Sequence, residues 1–181
     1  RPARSSNNGL FNAQAPAFAS MPTAVTTDAA TTNAVQRSAA RFPVVGIGCS
    51  AGGLEALENF FSHAAPGCGI AYVVVQHLAP DHVSALPDLL SRFTKMPVIE
   101  AADGMVVQPD HVFVIPPNRD LSLLHGSLHL FEPVAPRGLR LPIDFFLRAL
   151  AEDRREGAIG VILSGMGSDG AFGLAAIKEK G

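Results

Sequence analysis

The sequence predicts an α/β protein with a doubly wound, mostly parallel sheet, and three observations carry that prediction. Short apolar, β-branched segments alternate with segments whose apolar residues recur at helical spacing. Two apolar segments, at 70–76 and 158–163, show no polar alternation, which is typical of strands covered on both faces. Two glycine-dense turns, one within the segment 44–53 and one at 164–170, each connect an apolar strand to a helix. We therefore expect three layers, a Rossmann-like topology and one antiparallel hairpin.

The predicted elements begin at Phe42, and residue chemistry marks several of their ends. Ser84 is a candidate N-cap with Pro87 inside the first turn of its helix. The segment LSLLHGSLHLFE predicts a hairpin that turns at 125–127. Pro142 opens an amphipathic helix that ends in arginines. The predicted strands are 42–47, 70–76, 97–100, 111–115 and 158–163, and the predicted helices are 51–63, 84–95, 142–155 and 171–180.

Composition divides the chain into a tail and a domain. Residues 1–40 are rich in Ala, Thr, Ser, Asn and Pro and lack an apolar period, so we expect a low-complexity linker or disordered tail. Residues 41–181 then form the domain, and a hydrophobic content of 48% is ample for a core.

Charge and cysteine content exclude several classes of protein. The formal net charge of −2 leaves no electrostatic footprint for nucleic acid. No apolar run approaches the ~20 residues that span a bilayer, so we expect no membrane insertion. Two cysteines make no disulfide framework, which favours a reducing, cytoplasmic location.

Residues 48–52 fit the nucleophile-elbow pattern G-x-S-x-G, with Ser50 at the bend. A serine hydroxyl needs a base, and an imidazole with a pKa near ~6.5 serves at neutral pH. His77 follows the strand that ends at Gln76, and Asp169 lies in the turn after the last strand. Because reactive groups gather at the carboxyl ends of parallel strands, we expect these three side chains to form a catalytic set.

Each member of this set also has a simpler explanation. Ser50 suits a tight turn and could cap the helix that follows, and Asp169 could cap the last helix. His77 could be an ordinary loop histidine. To that ordinary class we assign His63, His82, His111, His125 and His129.

Two other kinds of chemistry are less favoured by the spacing. His77, Asp81 and His82 are close in sequence, but i,i+5 in a proline-containing loop is not a zinc-binding helical pair, so we expect no metal. Cys49 could be a nucleophile, yet it precedes the bend and is expected to face inward as a small apolar residue.

Dinucleotide binding is the stronger rival. Residues 46–51 fit G-x-G-x-x-A and residues 165–170 fit G-x-G-x-x-G, each between a strand and a helix. The strand after the first motif ends in Gln76-His77, without the acidic residue that would bind a ribose. In the second motif, Asp169 would set a carboxylate against the phosphates. A nucleotide- or receptor-binding regulatory module without catalysis is therefore the alternative hypothesis.

The segments GIGCSAGG, QHLAPDH and GVILSGMGSDGAFGL, in this order, closely resemble the catalytic domain of the bacterial chemotaxis methylesterase CheB. The similarity extends through MPVIEAADGMVVQPDHVFVIPPNRDLSL and covers roughly 42–181. It implies a serine hydrolase that demethylates glutamate γ-methyl esters on chemotaxis receptors, and that could also deamidate glutamines. By this resemblance Ser50 is the nucleophile, His77 the base, Asp169 its orienting carboxylate, and the Met166 N–H an oxyanion donor. It implies no cofactor.

Departures from the family pattern shape two further expectations. A low-complexity tail stands where typical members carry a receiver domain. The LPIDFFLRALAED helix resembles the same helix in members that are fused to a receptor methyltransferase domain, and such a domain is a candidate partner. The family fold continues with a further strand and helix, so we expect the domain to be truncated at its C-terminus. Arg137 and Arg140 could offer positive charge to an acidic receptor helix, or could be solvated surface residues.

Overall fold

A computed structural model describes residues 42–50, 52–76, 85–136, 139–164 and 168–181. The predictions for the tail at 1–40, for His77, Asp81, His82, Ser84 and Arg137, and for Met166 lie outside these residues.

Five parallel strands form the central sheet. They are β1 (Val44–Cys49), β2 (Ala71–Gln76), β3 (Val98–Glu100), β5 (Val112–Val114) and β8 (Ala158–Ser164). Their order in the sheet is β3-β5-β2-β1-β8, so β1 lies between β2 and β8 and pairs with both in parallel. The predicted α/β class and parallel sheet are confirmed.

The hairpin belongs to a second, antiparallel sheet of three strands in the order β4-β7-β6. Its strands are β4 (Met105–Val106), β6 (Asp120–Leu124) and β7 (Ser127–Phe131). His125 and Gly126 form the predicted turn with positive φ angles of 50° and 77°, as a two-residue hairpin requires. The sequence pattern does not predict β4, because two residues carry no measurable alternation.

Helices cover both faces of the parallel sheet. They are α1 (Leu54–His63), α2 (Leu86–Leu90), α3 (Pro142–Arg154) and α4 (Ala171–Lys180), and a 3-10 turn at Arg155–Gly157 joins α3 to β8. On one face, α1 and α2 pack against inward side chains such as Ile47 and Val74. On the other face, α3 and the antiparallel sheet bury Phe146, Leu150 and Phe113, with α4 residues packed beside them.

The helix predicted for 84–95 is too long. α2 ends at Leu90, and the next turns are closed by i to i+3 bonds from Arg92 and Phe93. The Ser91 hydroxyl donates to the Asp88 carbonyl, and the Thr94 hydroxyl accepts the Met96 N–H at 3.1 Å. Such local side-chain bonds compete with helical pairing and end the helix early.

Candidate active site

The carboxyl ends of three adjacent strands meet at one edge of the parallel sheet, and Ser50 and Asp169 follow two of these strands. In the register of β1, Cys49 lies opposite Gln76 on one side and Ser164 on the other. Ser50 follows Cys49 directly, and the turn that contains Asp169 follows Ser164. His77 is the residue after Gln76, but its placement is outside the described chain. The carboxyl ends of β2, β1 and β8 therefore form one continuous rim.

The Ser50 turn is held by its own carbonyl oxygen. This oxygen accepts the Gly53 N–H at 2.8 Å and the Gln76 side-chain amide at 3.2 Å. Gln76 is only 9% exposed, so its amide links the ends of β1 and β2 from inside the fold. The N-cap of α1 is Gly53, without a side-chain cap bond, so the alternative that Ser50 caps this helix is wrong. Ser50 itself is half-buried at the rim.

Asp169 caps a helix, but not the helix predicted by the capping alternative. Its Oδ2 accepts the Ile143 N–H at 3.1 Å, and its Oδ1 accepts the Asp144 N–H at 2.8 Å. Both donors belong to the first turn of α3, whose own N-cap is the apolar Leu141. α4, which follows Asp169, has Gly170 as its N-cap. The N-terminal N–H groups of α3 thus fix the orientation of the Asp169 carboxylate.

The side chain of Ile143 connects the serine turn to the aspartate turn. A Cβ atom added at Gly48 would come within 2.4 Å of Ile143 Cγ2, and one added at Gly170 within 3.0 Å of the same atom. Gly48 lies two residues before Ser50, and Gly170 directly follows Asp169. The start of α3 is therefore wedged between the two turns, and the structure brings Ser50 and Asp169 to the same region of the rim.

Cys49 faces the core, as predicted. It is fully buried, and that burial raises the pKa of its thiol to about 12. Because the thiolate is the nucleophilic form, Cys49 is unsuited to attack a substrate at neutral pH.

The glycines of the first dinucleotide-like motif have a packing role. Gly46 and Gly48 lie inside β1 rather than in a loop. A Cβ at Gly46 would lie 2.6 Å from Leu147 and 2.9 Å from Leu150, both on α3. These glycines let a helix approach the strand, which accounts for the G-x-G spacing without a pyrophosphate. In the second motif, Gly165 and Gly167 lie outside the described residues.

The histidines at 63, 111, 125 and 129 have ordinary structural surroundings. Nδ1 of His63 lies 2.8 Å from the Asn59 carbonyl, and Nδ1 of His111 lies 2.9 Å from that of Pro109. His129 lies 3.7 Å from Asp103, and His125 forms the hairpin turn. Within the described ranges, no three His, Cys, Asp or Glu side chains are grouped so that they could hold a metal ion. The trio of His77, Asp81 and His82 lies outside those ranges.

The Arg140 side chain is 17% exposed and is paired within the fold. Its guanidinium donates to Asp120 and Asn118 at 3.1 Å each and to the Arg119 carbonyl at 3.3 Å. It therefore anchors the segment before α3 to β6, and the interpretation of Arg140 as a solvated surface residue is wrong. A contact of Arg140 with a receptor helix stays a prediction.

Sequence reasoning missed three residues of the rim. The sequence predicts Gln76 only as the end of a strand, and Ile143 and Asp144 only as members of an amphipathic helix. A polar residue at the end of an otherwise apolar strand was the only signal for Gln76. For Ile143 and Asp144 the only local signal was an acidic residue in a helix first turn, which is common.

The chain is similar to known methylesterases over most of its described length. The family model described as CheB methylesterase matches residues 45–181. A protein-glutamate methylesterase/protein-glutamine glutaminase of Syntrophus aciditrophicus is 32% identical over 142 residues, covering 78% of this chain and 41% of that protein. The relative of the same name from Escherichia coli K12 is 30% identical, covering 76% of this chain and 40% of that protein. The chain thus spans about two fifths of the length of these relatives.

A solved structure supports the same assignment at the level of the fold. The catalytic domain of the Thermotoga maritima CheB methylesterase is 31% identical to this chain, with a TM-score of 0.70. The similarity covers 77% of this chain and 76% of that domain. Among the described residues, no helix has the length and apolar character needed to cross a membrane.

Proposed function

The chain belongs to the CheB methylesterase family, and from that premise we propose that it hydrolyses γ-methyl esters of glutamate side chains on methyl-accepting chemotaxis receptors. Methanol is the leaving group, and a glutamate carboxylate is restored. The names of the relatives support this proposal, and they also give glutamine deamidation as a second reaction. A cytoplasmic location fits free cysteines and a receptor signalling helix as substrate.

In the proposed mechanism, Ser50 Oγ attacks the ester carbonyl while the His77 imidazole removes its proton. Collapse of the tetrahedral intermediate breaks the bond to the methoxy group, and the imidazolium protonates the departing methanol. A glutamyl ester remains on Ser50. Water then attacks this ester with His77 again as the base, which releases the glutamate side chain and the free hydroxyl.

Backbone N–H groups would stabilise the oxyanion of this intermediate. By the resemblance to the family, the Met166 N–H is one donor, and the N-terminus of α1 after Ser50 could supply another. Such donors act most strongly where they are held in place before the reaction, and the Gln76 amide holds the Ser50 turn in this way.

The single observation that carries the proposal is the fixed position of Asp169 beside the serine turn. The two N–H bonds from α3 orient its carboxylate, and Ile143 contacts both turns. By the resemblance to the family, this carboxylate would accept the ring N–H of His77. Its role would be to hold the imidazole in the correct tautomer and to stabilise the imidazolium.

Methanol release from a methylated receptor tests the proposal. We expect Ser50→Ala to lower kcat by about 10⁴- to 10⁶-fold, because the nucleophile is lost. Ser62→Ala is the matched control, since Ser62 is an exposed serine on α1 whose hydroxyl donates only within that helix. Inactivity of the wild-type chain, or equal activity of the Ser50 variant, would contradict the esterase assignment. Saturable nucleotide binding would then favour the regulatory module.

A further inference from the structure

The buried carboxylate of Asp144 has no part in the mechanism above. Asp144 lies in the first turn of α3, where acidic side chains are usually solvated, yet it is only 5% exposed. Its Oδ1 accepts the Gly173 N–H at 2.6 Å. Within the described part of the chain, its Oδ2 is buried without a hydrogen bond. Burying a carboxylate in this way lowers the stability of the fold. Because such costs are concentrated at functional sites, we expect a functional role for the bond to Gly173.

The bond to Gly173 replaces a missing helix cap. Gly173 is the third residue of α4, and the N–H at this position is one that an N-cap side chain normally satisfies. The N-cap of α4 is Gly170, which has no side chain to do so. Asp144 supplies the acceptor from a different helix.

The arrangement is reciprocal. Asp169, next to the start of α4, accepts the N–H groups at the start of α3, while Asp144, at the start of α3, accepts an N–H at the start of α4. The backbone N–H of Asp144 is itself one of the donors to Asp169. The two helix starts and the two carboxylates therefore form one closed hydrogen-bonded ring.

Close packing of the two helices makes this exchange geometrically possible. A Cβ atom at Gly173 would come within 2.5 Å of Leu147 Cβ, so the backbones approach to a distance that only glycine allows at this position. At that distance a short aspartate side chain reaches the N–H directly.

We propose that Asp144 is a positioning residue that fixes the first turn of α4 and, through it, the orientation of Asp169 in the proposed esterase reaction. This inference rests on the proposed function. Loss of the acceptor would free the Gly173 N–H, loosen the first turn of α4 and let the Asp169 carboxylate rotate relative to His77. Misplacement of a catalytic group by about 1 Å can lower the rate by about 10²-fold.

The test compares Asp144 with Asp153 in the full chain. Asp153 lies at the other end of α3, and its Oδ2 accepts the Gly126 N–H at 3.2 Å from a segment 27 residues away. We expect Asp144→Ala to lower kcat by about 10²-fold with KM changed less than about twofold. Asp144→Asn keeps an acceptor oxygen and should restore kcat to within about tenfold of wild type. Asp153→Ala should destabilise the fold while leaving kcat within about twofold of wild type.

A double variant shows whether Asp144 acts through Asp169. In an Asp169→Asn background, Asp144→Ala should lower kcat by less than about threefold, because coupled residues are not additive. Equal losses of kcat in the Asp144→Ala and Asp153→Ala variants would overturn the inference, as would full additivity with Asp169→Asn. If Asp144→Ala does not fold, Asp144→Asn and Asp144→Ser replace it in the test. A folded Asp144→Asn with wild-type kcat, together with an Asp144→Ser whose kcat is lowered, supports the same conclusion. An active wild type with unaffected Asp144 variants contradicts this inference alone, whereas an inactive wild type contradicts the esterase assignment as well.

Discussion

The two edges of the parallel sheet are joined by one helix, α3, but they use buried charge in different ways. At the carboxyl edge, the start of α3 donates two N–H groups to Asp169, and Ile143 packs between two glycine-containing turns. At the amino edge, the end of α3 carries Asp153 and Arg154, whose side chains are each 8% exposed. The Arg154 guanidinium lies 5.0 Å from the centre of the Phe42 ring, over the entry to β1.

Opposite charges form an ion pair at the amino edge. Arg154 Nε lies 3.2 Å from Asp153 Oδ2, although its N–H does not point at that oxygen, so the contact is electrostatic rather than a hydrogen bond. Asp153 also accepts a hairpin N–H. At the carboxyl edge, backbone N–H groups donate to the Asp169 and Asp144 carboxylates. Backbone donors fix the orientation of a carboxylate because their hydrogen bonds are directional.

The largest difference between the two edges is expected in the effect of Asp169→Asn on kcat. The amide would lose the charge that stabilises the His77 imidazolium, and its NH₂ group would face one of the α3 N–H donors. We expect kcat to fall by about 10³- to 10⁴-fold, measured as methanol release by the folded fraction. Asp153→Asn makes the same change at the amino edge and should leave kcat near the wild-type value. Similar kcat values for the two variants would remove the functional distinction between the edges.

Thiol reactivity sharpens the account of the carboxyl edge, because Cys49 precedes Ser50. Cys68 is exposed, whereas burial raises the pKa of Cys49 to about 12. At pH 8 the thiolate fraction of Cys49 should be lower by about 10³-fold than that of an ordinary cysteine. We therefore expect the Cys68 thiol to react rapidly with a maleimide and the Cys49 thiol to react only after denaturation. Mass spectrometry of the labelled peptides would identify which cysteine reacts, and early labelling at Cys49 would contradict the buried assignment.

The smallest expected effect is on the free energy of unfolding, and it distinguishes Gly46, which contacts α3, from Gly52, which has open space around it. A Cβ at Gly46 would meet Leu147 and Leu150, whereas a Cβ at Gly52 would meet nothing within 4 Å. We expect Gly46→Ala to lower the free energy of unfolding by about 1–3 kcal/mol, because it overpacks the contact with α3. Gly52→Ala should change it by less than about 1 kcal/mol. Urea denaturation followed by circular dichroism measures both values, and equal losses would show that α3 does not pack tightly on β1.

The local sequence pattern was sufficient to predict an element where the residues of that element alone determine its structure. The unbroken apolar segment before Gln76 predicted a covered strand, and β2 is buried along its whole length. Residues 171–180 were predicted as a helix and form one. The pattern was insufficient for α2, because the Ser91 and Thr94 side chains end it through bonds that apolar spacing does not reveal.

By itself, the sequence determined the layered α/β architecture through its periodicity and the family through the order of its motifs. It also identified Ser50, His77 and Asp169 as candidate site residues. The tertiary structure alone decided that Asp169 caps α3 instead of α4 and that Asp144 is buried against Gly173. These bonds connect residues 25 to 29 positions apart. An aspartate beside a helix start is compatible with capping its own helix or another, and only the packing of α3 on α4 determines which N–H groups it reaches.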